Sequence, residues 1–409
     1  MFKHLILTLG LVAAATLVIG PSADADVTSA CTIYVTNTFG TSVSVIDGNT
    51  NTVTGTISVG SAPNGIAVSA AGTVYVVNSD SDSVSVIDGN TNTVTATIPV
   101  GAYPWGVAIS SAGKVYVANF SGGSVAVIDP VTNTVAETIP VGGSPYVVAA
   151  SPDGAIYVSN YLNNSVSVID ENTNTVTATI PVGVHPYGVA VSALGKVYVV
   201  NSDDGTVSVI NAVTNTVIAT IPVGGSPTEV AASPNGTVYV SNSAADTVSV
   251  IDGNTNSVTT TIPVGQFPYA LAASPTGTIY VPNFEDYSVS VIDGATNTVT
   301  ATIPIGVALY ATAVRGCFDS MVTAVAAGDG RSLDVGGTGF PPSATVTITL
   351  DSIILGTATT GADGSFSVRF VDIDCAASSG ALTATAGVAS ATTPVTLASC
   401  SPATPVFTG

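Results

Sequence analysis

Positive charge is nearly missing from this chain: 409 residues carry six Lys and Arg against 26 Asp and Glu, a formal charge of −20. A nucleic-acid partner is therefore excluded, because phosphate binding draws its affinity from clustered cations. Histidine is almost as scarce. Of the two present, His4 sits in the first few residues and His185 stands alone in the rest. One imidazole cannot assemble a multi-histidine metal centre, and no activated nucleophile accompanies it. Long apolar runs are lacking apart from Leu5 to Ile19, which is too short for a membrane span, so no transmembrane segment is expected. Helical periodicity is absent throughout. Charged residues make up only 8% of the chain, so its surfaces must be neutral and polar.

Lys3 and His4 ahead of the Leu5–Ile19 run, then Ala23-Asp24-Ala25, read as a signal peptide over residues 1–25. The expected location is secreted and extracellular, with cell-surface association open. Four cysteines, Cys31, Cys317, Cys375 and Cys400, would then meet an oxidising compartment, where two disulfides have three possible pairings. Lipidation of Cys31 is the alternative, but Thr28-Ser29-Ala30 lacks the large apolar residue expected before a lipidated cysteine.

What the chain does have is a repeat. Tyr34, Tyr75, Tyr116, Tyr157, Tyr198, Tyr239 and Tyr280 are spaced 41 residues apart, and each opens a Tyr-Val-x-Asn segment ending at Asn37, Asn78, Asn119, Asn160, Asn201, Asn242 or Asn283. Each unit holds four strand-like runs of alternating Val with Ser or Thr. In the second unit these are Val74–Val77, Val84–Ile87, Thr93–Val100 and Gly106–Ser110, with turn residues between. Four short strands per unit and a period in the forties predict propeller blades. Ala67, Ala108, Ala149, Ala190, Ala231, Ala272 and Ala313 recur in the fourth run, which marks it as the inner strand, where bulk would collide. The array begins with three outer strands (about Thr32–Val59) and ends on a lone inner strand (about Tyr310–Arg315), so the last blade must draw on both ends. Shifted by whole repeats, Cys31 and Cys317 fall on the neighbours Gly113 and Ala112, which predicts the pairs Cys31–Cys317 and Cys375–Cys400.

The Tyr34–Asn37, Ser83–Asp88 and Thr91–Val94 segments resemble the YVTN-type β-propeller repeats of bacterial and archaeal surface proteins, including surface-layer-type proteins, over about residues 31–316. Residues 317–400 lose the period. Their runs at Ala344–Leu350, Gly356–Thr360 and Ser365–Phe370, with Gly337–Pro342 and Asp363–Phe366, resemble Ig-like modules of secreted bacterial proteins. The expected fold is all-β: a seven-bladed β-propeller, then a small Ig-like β-sandwich, then a tail over 401–409.

The seven repeat Asn residues and the Asp47, Asp88, Asp129, Asp170, Asn211, Asp252 and Asp293 series are uniform, which marks turn residues that bond nearby backbone and accept left-handed conformations. The units differ instead in the loop leading into each inner strand: Asn64; Tyr103 and Trp105; Tyr146; His185 and Tyr187; Glu229; Phe267 and Tyr269; Leu309 and Tyr310. These should surround one mouth of a central channel, where aromatic rings either bind sugars or peptide side chains or plug the opening. On the same face lie Asp80, Asp82, Asp203, Asp204, Asp246, Glu285 and Asp286, compatible with weak Ca²⁺ binding but without a complete calcium loop; no other cofactor is expected. Some propellers of this class are enzymes, among them antibiotic-ring lyases with a central histidine and acidic partners. His185 could serve as one general base, yet its slot holds Tyr103, Ser144, Ser226 or Phe267 elsewhere, so plain loop variation is the favoured reading. The leading expectation is thus a non-enzymatic envelope module that binds a glycan, peptide or protein. The alternative is a lyase or hydrolase at the aromatic mouth.

Overall fold

A computed structural model describes residues 31–317 without a break, and beyond them residues 321–326, 333–338, 340, 344–350, 353–361, 365–370, 379–386 and 389–396. The predicted leader and the Cys375–Cys400 pair lie outside the described residues.

Residues 32–315 fold into seven four-stranded antiparallel sheets. In the second, the strands are Pro63–Val68, Thr73–Asn78, Ser83–Asp88 and Thr93–Pro99, joined in chain order. The two middle strands are buried almost throughout, whereas the fourth is exposed except at the half-buried Ala96 and the buried Ile98. That gradient follows from stacking: each sheet is covered on both faces by its neighbours, and only its outer edge meets solvent. Val and Ile of one sheet accordingly share a core with the next, as Tyr75, Val77, Val84 and Ile98 do with Val115, Val117 and Ile128. Each such side chain contributes about 1.5–3 kcal/mol on burial. In the second sheet's outermost pairing, a bulge between Val86 and Ile87 adds twist; the same irregularity recurs in the corresponding pairing of every sheet.

Sequential inner strands touch one another, and Thr312–Arg315 meets both Pro63–Val68 and Ala272–Ala273. Glycine is demanded where they converge. At Gly106 a Cβ would collide with the Tyr146 carbonyl, and at Gly188 with the Glu229 side chain. The closing sheet pairs Thr32–Asn37 with Thr312–Arg315, in the register Thr32 to Arg315 and Tyr34 to Ala313. Cys31 and Cys317 form a disulfide just outside that pair.

The repeated residues prove to be braces. Asn160 Nδ2 donates to Ser165 Oγ (3.3 Å) and Ser167 Oγ (2.8 Å) of the following strand, and Asn78, Asn201, Asn242 and Asn283 donate to the matching hydroxyl pairs. Asn119 reaches only Ser124, since Ala126 fills the second place, and Asn37 donates to Ser42 but accepts from Ser44. The expectation of left-handed backbone at these Asn residues needs correcting: Asn78 and Asn160 are extended, with φ of −111° and −106°. Positive φ falls instead on Asn51, Asn92, Asn133, Asn174, Asn215, Asn256 and Asn297, in the turns before the outer strands. Three of those Asn residues receive a repeat tyrosine of the preceding sheet: Tyr34 Oη donates to Asn92 Oδ1 (2.8 Å), Tyr116 Oη to Asn174 Oδ1 (3.0 Å) and Tyr239 Oη to Asn297 Oδ1 (3.3 Å). The Asp series acts as expected, Asp47 Oδ1 accepting from the Asn49 and Thr50 N–H groups.

After residue 320 the described strands form a three-stranded sheet (Met321–Ala326, Leu333–Thr338, Phe366–Phe370) and a four-stranded one (Ile353–Thr359, Thr345–Leu350, Ser379–Ala386, Ala389–Thr396). Leu333, Val335, Phe340, Val346, Ile348, Phe366 and Leu382 make their shared core.

Candidate functional site

At one end of the sheets stand the residues three places before each inner-strand Ala. Five of these seven positions are aromatic: Trp105, Tyr146, Tyr187, Tyr269 and Tyr310. Their rings pack edge and face, with Tyr146–Tyr187 and Tyr269–Tyr310 centroids both 4.4 Å apart and Trp105–Tyr146 4.9 Å. Their polar tips converge. Trp105 Nε1 donates to Tyr310 Oη (2.5 Å), and Tyr146 Oη lies 3.1 Å from Tyr310 Oη and 3.4 Å from Tyr269 Oη. Tyr146 and Tyr310 are only 6% and 7% exposed, so this cluster forms the floor of the mouth. Burial drives the hydroxyls of Tyr146 and Tyr310 well above the ordinary phenol range, and that of Tyr187 to about 12. All three remain protonated donors.

Glu229 lies in the inner strand Pro227–Ala232, against Gly188 and close to Tyr269 and Tyr310. Its carboxyl accepts only a 3.3 Å bond from the Val230 N–H. Burial therefore raises its pKa to about 8, slightly offset by that bond.

His185 stands on the rim. Its φ of 51° is left-handed, as are those of Tyr103 (50°) and Phe267 (54°) in the same loop position. A side chain from the preceding sheet holds each loop: Asn164 Oδ1 accepts the His185 N–H (3.0 Å), Asp82 Oδ1 that of Tyr103 (2.7 Å) and Asp246 Oδ1 that of Phe267 (2.9 Å). Asp204 Oδ2 takes the Val184 N–H (2.8 Å) and Asp286 Oδ2 that of Gln266 (2.7 Å). Four of the carboxylates considered for calcium thus clamp the loops. Asp203 does something else: its Oδ2 lies 2.6 Å from His185 Nδ1. The imidazole also stacks on Tyr161 at 4.3 Å and 14°. With Nδ1 committed to Asp203, Nε2 is the nitrogen that can exchange a proton with a bound molecule.

The structure brings Tyr103, Trp105, Tyr146, His185, Tyr187, Glu229, Phe267, Tyr269 and Tyr310 to one end of the sheets. Leu309 is an exception to the sequence expectation. It is fully buried in the core that the closing sheet shares with Val289, Val291 and Ile303 of its neighbour, where an apolar side chain next to the closing seam gains more from the core. Asn64 is also buried, bonded to Thr38 and Ser79. Four aromatic contributors escaped the sequence reading: Phe120, Tyr161, Phe284 and Phe39. Phe120 lies 5.8 Å from Tyr146, Phe284 5.9 Å from Phe267, and Phe39 5.5 Å from Phe284. The signal was available, because the slot just after the repeat Asn varies between Thr38, Ser79, Phe120, Tyr161, Ser202, Ser243 and Phe284. A separate groove lined by Gly60, Ser81, Val94 and Pro99 carries no titratable group.

Residues 26–286 match the sequence profile of the virginiamycin B lyase family. No curated protein sequence matches significantly. Among solved structures, hydrazine synthase of Kuenenia stuttgartiensis is similar at 24% identity and a TM-score of 0.60, covering 64% of this chain and 92% of that one. A streptogramin B lyase is similar at 15% identity, TM-score 0.55, over 61% and 86% of the two chains. A catalytically inactive histidine-to-alanine virginiamycin B lyase from Staphylococcus aureus, with Quinupristin, is similar at 14% identity, TM-score 0.54, over 61% and 87%. At these identities the structures speak to the β-propeller fold alone. The family match overturns the expectation of a non-enzymatic binding module: the match is to a lyase family, and the reading of His185 as mere loop variation had not foreseen its Asp203 partner.

Proposed function

Because the chain belongs to the virginiamycin B lyase family, we propose that it is a lyase acting on a ring-closed substrate seated on the aromatic mouth. The observation that carries this reading is the pair His185–Asp203, 2.6 Å apart across two loops, with the His185 loop clamped beside a floor of protonated hydroxyls. A lyase cleaves by elimination. His185 Nε2 takes a proton from a carbon next to the one bearing the leaving oxygen. The C–H electrons form a double bond as the C–O bond breaks, and the leaving group departs with the C–O electron pair. Asp203 holds the imidazole in place and stabilises the imidazolium formed. Tyrosine hydroxyls kept protonated by burial supply hydrogen bonds to oxygen that gains charge.

Incubating the protein with virginiamycin B and with Quinupristin tests this by mass. Elimination opens a ring without changing its mass, whereas hydrolysis, the second reading, adds one water. His185→Ala should reduce turnover by at least about 100-fold, the scale of a lost general base. Full turnover in that variant, or no product from either compound, would sink the proposal.

Around this chemistry we infer a closed ring of seven blades followed by an Ig-like sandwich, exported by the 1–25 leader. Support comes from the seven sheets, the pairing of Thr32–Asn37 with Thr312–Arg315, and the two-sheet core after residue 320. Among the described residues no helix is long and apolar enough to cross a membrane.

A further inference from the structure

Carboxylates stand at both ends of the sheets, Asp47 and its equivalents at one and the loop acids at the other, but cations stand at one end alone. Residues 31–317 contain three cations other than histidine: Lys114, Lys196 and Arg315. All three belong to the end away from the mouth. Lys196 and Arg315 pair there with Asn211 and Thr32, and each cation is tied down. Lys114 Nζ donates to the Glu171 carbonyl (2.6 Å), Lys196 Nζ to the Gly253 carbonyl (2.6 Å) and Arg315 to Asn90 Oδ1 (2.5 Å). The mouth end carries carboxylates on its loops and no Lys or Arg. Between them runs an aromatic ridge that starts at the floor and climbs over Phe267 and Phe284 to Phe39, whose side chain is 84% exposed. Glu285 and Asp286 follow directly after Phe284 and are exposed.

We propose that this ridge is a second subsite of the mouth, for a cationic group, a protonated or quaternary amine carried next to a ring on the substrate. Aromatic faces attract cations through their quadrupole, and flanking carboxylates add to the attraction where no cation competes. An anionic substrate would meet only like charge. The inference rests on the lyase reading for the identity of the bound molecule as substrate, but its test does not need turnover.

Trp105 is the chain's one tryptophan and lies in the mouth, so its fluorescence reports binding. The full chain is titrated at low salt with three aromatic probes: benzyltrimethylammonium, benzyl alcohol and phenylacetate. The expected result is binding of the cation about tenfold tighter than the alcohol, fading as salt is raised, with phenylacetate weakest. Phe39→Ala and the double variant Glu285→Gln with Asp286→Asn should each lower the preference about threefold. The amide that replaces the Asp286 carboxylate keeps an acceptor oxygen for the Gln266 N–H, so the loop stays clamped. Equal or weaker binding of the cation, no response to any probe, or an unchanged preference in both variants would overturn the subsite. Cation preference without lyase turnover would instead count against the reaction and leave the subsite standing. Turnover without cation preference would do the reverse.

Discussion

Among the carboxyls of the described residues, Glu229 is the one held furthest above the ordinary carboxylate range. An ordinary glutamate has a pKa near 4.5, and the folded protein raises this one to about 8. Between these values the folded state holds a proton that the unfolded chain has released. Stability is therefore lost as pH rises through that window and is unaffected by Glu229 below it. Glu229→Gln cannot ionise and should remove this slope. Denaturant unfolding should find the variant close to wild type near about pH 4.5 and more stable by up to about 4 kcal/mol above about pH 8. A wild-type curve flat across the window would show the carboxyl to be better solvated than its place suggests. The buried Asn residues make the opposite case. Asn283 is fully buried and donates to Ser288 (3.1 Å) and Ser290 (2.9 Å), so Asn283→Ala should destabilise by about 2–3 kcal/mol in the same measurement.

At the scale of elements, alternation with a period of two made the strands legible. The predicted run Val84–Ile87 lies inside the observed Ser83–Asp88, and Thr93–Val100 overlaps Thr93–Pro99. Small residues also marked the inner strands, although the tight approach occurs at Gly65, Gly106 and Gly188, two residues before the repeated Ala. The choice of left-handed Asn was not legible. Two Asn classes recur equally in sequence, and only the packing of one beneath the next strand's serines forces it to be extended. The mouth was read for its aromatic floor and missed for its chemistry. His185 and Asp203 sit on different loops, and their contact depends on Asn164 and Asp204 fixing the His185 loop. Removing one clamp should show this: Asp204→Ala, which leaves both His185 and Asp203 intact, should lower kcat several-fold on a ring-closed substrate, with a smaller change in KM. Unchanged kcat would mean that the loop is positioned without the clamp.

For the whole molecule, the disulfide and the closing sheet bind the two ends of residues 31–317 together. Cys31 and Cys317 are 286 residues apart in sequence, and closing a loop of that length stabilises by roughly 5 kcal/mol in the chain-entropy model. Cys31→Ser with Cys317→Ser should therefore unfold at markedly lower urea while keeping its sheet content by circular dichroism. An unchanged midpoint would assign closure to the strand pairing alone. The same seam governs how the molecule bears force. The chain leaves and rejoins its path at Cα atoms 4.1 Å apart. Tension applied through the flanking segments passes across one covalent bond and never reaches the sheets. Under load the domain behaves as a bead on a thread, its 286-residue contour hidden from extension until that bond is reduced.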